Sequence, residues 1–220
     1  MARVRLLFAK MGRSKYLSHL DLMRTFQRVF IRAGVPLHHT EGFNPHPYLS
    51  FALPLSVGVE SVTELLDAEL SCSEDLSALP MRLNQQMPEG IRVLEAYEPA
   101  TKFAALAWVA VEGYLDYDAG VPAESLTALS SLFASKELVI TKKTKKGMAE
   151  VNIIPAIGDI SFEDTGDGRV LLRAVIAAQN PSLNPEHLIT AIKTHRPDLT
   201  PDFAAFKRLA VYDGAKAVFH

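Results

Sequence analysis

Four of the seven histidines fall between Lys10 and Ala52: His19, His38, His39 and His46. Imidazoles titrate near neutrality and serve as proton donors and acceptors. Between them stand Arg24, Arg28 and Arg32, each four residues from the last. That spacing lines up guanidinium groups on one side of a helix, where they suit phosphate oxygens. Arg13 and Lys15 precede them, and a loop Gly42-Phe43-Asn44-Pro45-His46-Pro47 follows. Two prolines fix its backbone, Gly42 allows unusual dihedrals and Asn44 can cap amides. An aromatic and a histidine on such a loop suit a ligand or a stacked base. The expected binding set is therefore Arg13, Lys15, His19, Arg24, Arg28, Arg32, Phe43, Asn44 and His46. His19 and His46 are the candidates for acid–base work. The bland alternatives are a solvated helix face and a connector locked for stability.

A metal reading is weaker. His19, His38 or His39, and His46 with Asp21 or Glu41 could supply nitrogen and oxygen ligands, but no spacing matches a defined motif. Adjacent histidines on a strand point to opposite faces. No metal and no cofactor is expected. Cys72 is the only cysteine, which excludes an internal disulfide and a multi-cysteine cluster within one chain. It fits a reducing cytoplasm.

The charge is uneven. Net charge is −2, yet residues 1–53 hold eight Lys/Arg against two acids, a balance of +6 that leaves −8 for the rest. A basic portion on an acidic body suggests a local anion-binding face. Four lysines in the turn from Lys142 to Lys146 read as a solvated hairpin tip or a non-specific phosphate contact. No apolar run approaches the roughly 20 residues needed to span a bilayer, so no membrane partner is expected. The N-terminal MARVRLLFAK reads as a strand rather than a signal peptide.

These residues must be held by local elements. Arg3 to Ala9 alternates as a strand. Ser18 is a good N-cap, with Asp21 three residues on. The helix then runs to Ala33, with Leu22, Phe26, Val29, Phe30 and Ala33 as its buried stripe and Gly34 as its stop. Asp21 can pair with Arg24. Short strands are expected at Val35–Thr40 and Tyr48–Leu53, a strand at Thr63–Leu70, a helix at Glu74–Gln86 and a strand at Ile91–Tyr97. With Tyr48–Leu53 read as an extended segment rather than a full strand, that order is β-α-β-β-α-β, the ferredoxin-like arrangement.

The order then recurs. Strands are expected at Leu106–Leu115, Leu138–Lys142, Met148–Ile154, Ile160–Glu163, Val170–Ala177 and Phe203–Tyr212, with helices at Val121–Ala134 and Asn184–Thr194. Thr165-Gly166-Asp167-Gly168 is a hairpin signal. The expected fold class is α+β: two ferredoxin-like halves, 1–101 and 102–220, with mainly antiparallel sheets and helices packed on one face. The second half carries an extra strand pair.

Four features together resemble the signature of the radical SAM-linked proteins, a bacterial domain of unknown function. They are Gly12-Arg13, Leu17-Ser18-His19-Leu20-Asp21-Leu22, Gly42-Phe43-Asn44-Pro45-His46-Pro47 and the Pro54–Glu60 loop. The later KKGMAEVNIIPAI stretch is also similar, and the resemblance covers nearly the whole chain. The family usually has Phe-Leu-Ser-His where this chain has Tyr16-Leu17-Ser18-His19. The resemblance implies a radical SAM protein as partner, fused or encoded nearby, and a cytoplasmic bacterial setting; it implies no activity. The chain cannot be that enzyme, whose cluster needs three closely spaced cysteines.

The expected function is an accessory module that binds RNA through the N-terminal basic face. The alternatives are a metal-independent endoribonuclease using His19 and His46, and a protein-docking subunit without RNA affinity.

Overall fold

The computed structural model describes residues 2–144 and 147–220. The chain forms two compact units, Met1–Ala105 with His220, and Leu106–Phe219. Among the described residues no helix is long and apolar enough to cross a membrane.

In the first unit β1 (Ala2–Lys10) leads through a short 3-10 turn (Gly12–Tyr16) to α1 (His19–Arg32). β2 (Leu49–Phe51), β3 (Glu60–Leu70), α2 (Leu79–Asn84) and β4 (Ile91–Tyr97) follow. The strand order is β4-β1-β3-β2, and each of the three pairs is antiparallel. Alternation sends Val4, Leu6 and Phe8 of β1, and Leu66, Ala68 and Leu70 of β3, to one face. There they pack with Leu22, Phe26, Val29 and Phe30 of α1 and Leu79 and Leu83 of α2. Phe26 meets Phe8 edge-on at 4.8 Å between centroids, a favoured aromatic geometry.

Helix α1 starts and stops as its residues dictate. Ser18 Oγ accepts the Asp21 amide at 3.2 Å and donates to Asp21 Oδ2 at 2.7 Å. Gly34 turns the chain away with φ +66°, a conformation other residues rarely adopt. Helix α2 is shorter than the expected Glu74–Gln86. Asp75 Oδ1 accepts from the amide and hydroxyl of Ser77 at 3.0 and 2.7 Å, which holds a turn in place of helix. Pro80 then sits in the first turn, where its missing N–H is not needed.

The strand expected at Val35–Thr40 is reduced to isolated bridges, Leu37 to Leu70 and His39 to Pro47. The segment expected to pair over Tyr48–Leu53 keeps only Leu49–Phe51 as β2. Leu53 ends it with φ 47°, just before Pro54.

The second unit contains β5 (Leu106–Asp116), α3 (Ser125–Phe133), β6 (Val139–Thr144), β7 (Gly147–Asn152), β8 (Ile157–Asp164), β9 (Arg169–Ala177), α4 (Glu186–His195) and β10 (Phe203–Asp213). β6 and β7 form a separate hairpin, and the remaining strands run β10-β5-β9-β8, again antiparallel. Without that hairpin, the order of pairing is that of the first unit.

Val109, Val111 and Leu115 of β5 are buried, as are Val170, Leu172, Ala174 and Ile176 of β9. Phe133 of α3 lies 5.6 Å from Phe162 of β8. The outer face carries a charge row: Arg173 reaches Glu163 at 3.0 Å and Glu112 at 3.5 Å, and Lys207 reaches Glu112 at 3.3 Å. α3 begins later than the expected Val121 because Glu124 is left-handed at φ 62°. Lys142 and Lys143 belong to β6, while Lys145 and Lys146 lie outside the described residues.

Candidate nucleic-acid interface

The face of α1 opposite its buried stripe is basic. Arg24, Arg28 and Arg32 are exposed, and the helix holds one acid, Asp21. Arg24 lies 3.9 Å from Asp21, a loose pair worth a few tenths of a kcal/mol. Arg32 donates to the Gln86 carbonyl at 2.9 Å. Arg28 has no ion pair among the described residues. Leu20 and Ile31 stand out of the same face, 55% and 76% exposed. Ile31 and Gln27 border an apolar groove of about 470 Å³ that continues along Gly34–Leu37, His39 and Pro47.

At the start of α1, the 3-10 turn is tied to the Pro54–Glu60 loop. Gly12 N–H donates to Glu60 Oε1 at 2.9 Å, and Gly58 N–H to the Lys15 carbonyl at 2.9 Å. Lys15 Nζ is 4.0 Å from the same carboxylate oxygen. Arg13 is exposed beside it. Two of the sequence features singled out above are thus one structural knot. His19 begins α1 with its ring edge-on to Phe51 at 5.5 Å.

The Gly42–Pro47 loop is bent and irregular, as two prolines require. It closes on Thr40: the Thr40 amide donates to the His46 carbonyl at 2.9 Å, and the His46 amide to Thr40 Oγ1 at 3.1 Å. His46 Nδ1 lies 3.1 Å from Thr40 Oγ1 and 3.4 Å from the Asn44 carbonyl. Phe43 is fully exposed. His39 Nδ1 meets the Leu37 carbonyl at 3.0 Å, and the His38 ring stacks on Tyr48 at 5.2 Å with 7° between planes.

The two candidate acid–base histidines are apart. His19 sits by Phe51, at one end of β2, whereas His46 precedes Tyr48 at the other. Tyr48 and Phe51 are three extended residues, roughly 10 Å, apart. Among the described residues no group of three or more His, Cys, Asp or Glu side chains could hold a metal ion.

Two of the eight N-terminal basic residues are not on the surface. Lys10 is 1% exposed, and its Nζ lies 3.4 Å from the Lys15 carbonyl. Arg5 is fully buried on the sheet face away from the helices. It binds both oxygens of Asp67, at 2.6 and 2.8 Å, and the Thr101 carbonyl at 2.8 Å, and its guanidinium stacks on Phe103 at 4.5 Å. Arg3 pairs with Glu69 at 3.1 Å. The residues after β4 are thereby strapped across that face, leaving a cleft of about 800 Å³ beside β2. Sequence reasoning missed this cleft. The signal was present in the alternation: Arg3 and Arg5 on the polar side of β1, Asp67 and Glu69 on the polar side of β3.

Three solved structures give the scale of similarity. A chain of the Cbf5-Nop10-Gar1 complex has a TM-score of 0.53 at 10% identity, covering 94% of this chain. This chain spans about half, 48%, of that one. A putative glycine cleavage system transcriptional repressor matches at a TM-score of 0.25 and 13% identity, covering 94% of this chain and 97% of its own. The encapsulated DyP-type peroxidase of Mycobacterium smegmatis matches at 0.20 and 10%, covering 94% and 90%. The first of these likenesses concerns the fold alone. No curated protein matches. A family model does match, over residues 3–185, and the chain therefore belongs to the family of uncharacterized proteins conserved in bacteria (DUF2344).

Proposed function

We propose that this protein is an accessory module of the bacterial cytoplasm that binds RNA and works beside a radical SAM enzyme. Each unit is read as ferredoxin-like, from its strand order. The partner is inferred from the resemblance of the Gly12–Glu60 segment to the radical SAM-linked proteins. The observation that carries RNA binding is the outer face of α1. Three arginines stand there against one acid, and Arg28 has no ion-pair partner among the described residues. Exposed guanidiniums release counterions when phosphates bind them. The fully exposed Phe43 ring adds a stacking surface. Salt titration of RNA affinity in wild type and in the Arg24→Ala, Arg28→Ala, Arg32→Ala triple variant tests the reading. Equal affinities would end it.

The ribonuclease reading needs two imidazoles at one phosphate, and the separation of His19 from His46 along β2 disfavours it. A protein-docking reading has one observation behind it: Ile31 stands exposed at the edge of an apolar groove. Capture of the radical SAM protein that is lost on Ile31→Glu, with no RNA affinity at low salt, would select it.

A further inference from the structure

The register of the first unit builds a second site on the sheet face away from the helices. Directly opposed residues point to the same face. Glu69 lies opposite Arg3, and Asp67 opposite both Arg5 and Ser50. The Glu69 amide donates to the Tyr48 carbonyl at 3.1 Å, which continues the first row outward. Two rows result, Tyr48–Glu69–Arg3 and Ser50–Asp67–Arg5. The strap residues Glu98–Phe103 wall one side of the cleft above them, and His46–Ser50 the other.

The geometry points to a nucleotide site, in which a base carrying N–H donors stacks on Tyr48 and its phosphate lies at the cationic rim. Size, aromatic character and charge agree on this ligand. A volume of about 800 Å³ is in the range of small-molecule sites. Tyr48 is 43% exposed, and the stack on His38 fixes its ring. Arg5 occupies both Asp67 oxygens, whereas Arg3 Nε donates to Glu69 Oε1. Glu69 and Ser50 both line the cleft and can accept further hydrogen bonds. An ionised carboxylate accepts and never donates. Guanine presents two adjacent N–H donors on one edge, whereas uracil presents one N–H between two carbonyls that meet Glu69 with like polarity. Arg3, with three quarters of its side chain exposed, and Lys102 supply cations for the phosphate. A purely anionic ligand would meet Asp67, Glu69 and Glu98, and a purely cationic one would meet Arg3 and Lys102. A nucleotide carries both N–H donors and an anionic group, and so can meet both kinds of lining residue. The site is independent of the α1 face.

Two sources share this chemistry, a free nucleotide and an unpaired residue of an RNA. Amide NMR of the full chain, titrated to millimolar guanosine 5′-monophosphate, uridine 5′-monophosphate and a guanosine-containing single-stranded oligoribonucleotide, separates them. The expected result is shifts at Tyr48, Ser50 and Glu69 with guanosine and weaker binding of uridine. Tyr48→Ala should weaken binding roughly tenfold, Tyr48→Phe should retain it, and Glu69→Gln should erase the preference over uridine. Response to the oligoribonucleotide alone would make the source RNA. Oligoribonucleotide binding that shifts only α1 amides would overturn the cleft site and leave the RNA reading standing. Silence of all three amides with every probe, or equal binding of both mononucleotides, would overturn the site as well.

Discussion

Arg5 and Asp67 lie opposite one another on adjacent strands, and the guanidinium holds the carboxylate through two bonds of 2.6 and 2.8 Å while wholly out of solvent. The pair fixes the outer face of the first unit, because the same guanidinium also takes the Thr101 carbonyl and stacks on Phe103. Removing one partner of such a pair strands the other. Arg5→Met should cost about 3 kcal/mol of stability, and adding Asp67→Leu should recover part of it. Urea unfolding measures both. A loss below about 0.5 kcal/mol for Arg5→Met would show that the strap is held by other contacts.

A second prediction concerns Gly90, which precedes β4. Its φ is +83°, and a Cβ there would collide with the Met11 carbonyl oxygen and lie 2.7 Å from Ser14 Oγ. Gly90→Ala should therefore lose more than about 1 kcal/mol. Gly214 has open space around its missing Cβ, and Gly214→Ala should change stability by less than about 0.5 kcal/mol. Equal midpoints for the two variants would remove the steric argument.

Alkaline pH gives a third. Tyr117 donates to the Leu199 carbonyl at 2.9 Å within the second unit. Burial, and then the nearby Asp202 charge, push its hydroxyl up to about 12. A raised phenol favours the protonated form in the folded state. Its contribution is complete below the unfolded value near 10 and is lost as pH rises through about 12. Wild type should lose stability across that window, and Tyr117→Phe should lose less there while starting about 1 kcal/mol lower at neutral pH. Parallel pH profiles for the two proteins would contradict this.

The α1 segment was legible because its signals are local. Ser18, Asp21, the apolar stripe and Gly34 each act within a few residues, and all four behave as their chemistry requires. β4, Ile91–Tyr97, was legible for the same reason, because Pro88-Glu89-Gly90 turns the chain just before it. The helix ends at Glu74 and Val121 were misjudged because a side-chain turn at Asp75 and a left-handed Glu124 outweigh helical patterning. The basic face was overcounted. Arg5 and Lys10 look like surface charges until β3 supplies Asp67 and the 3-10 turn supplies the Lys15 carbonyl, and those partners are distant or geometrical. The cleft was invisible for a related reason: it depends on strand register and on the path of the chain after Tyr97.

The central claim is that α1 presents arginines to RNA, and salt dependence tests it most directly. Affinity for a fluorescent RNA fragment should fall steeply as salt rises. The slope of log affinity on log salt should shrink by about one for each arginine that contacts a phosphate. The Arg24→Ala, Arg28→Ala, Arg32→Ala variant should thus bind more weakly and with a flatter slope. Absence of binding at low salt, or identical slopes for the two proteins, would contradict the account.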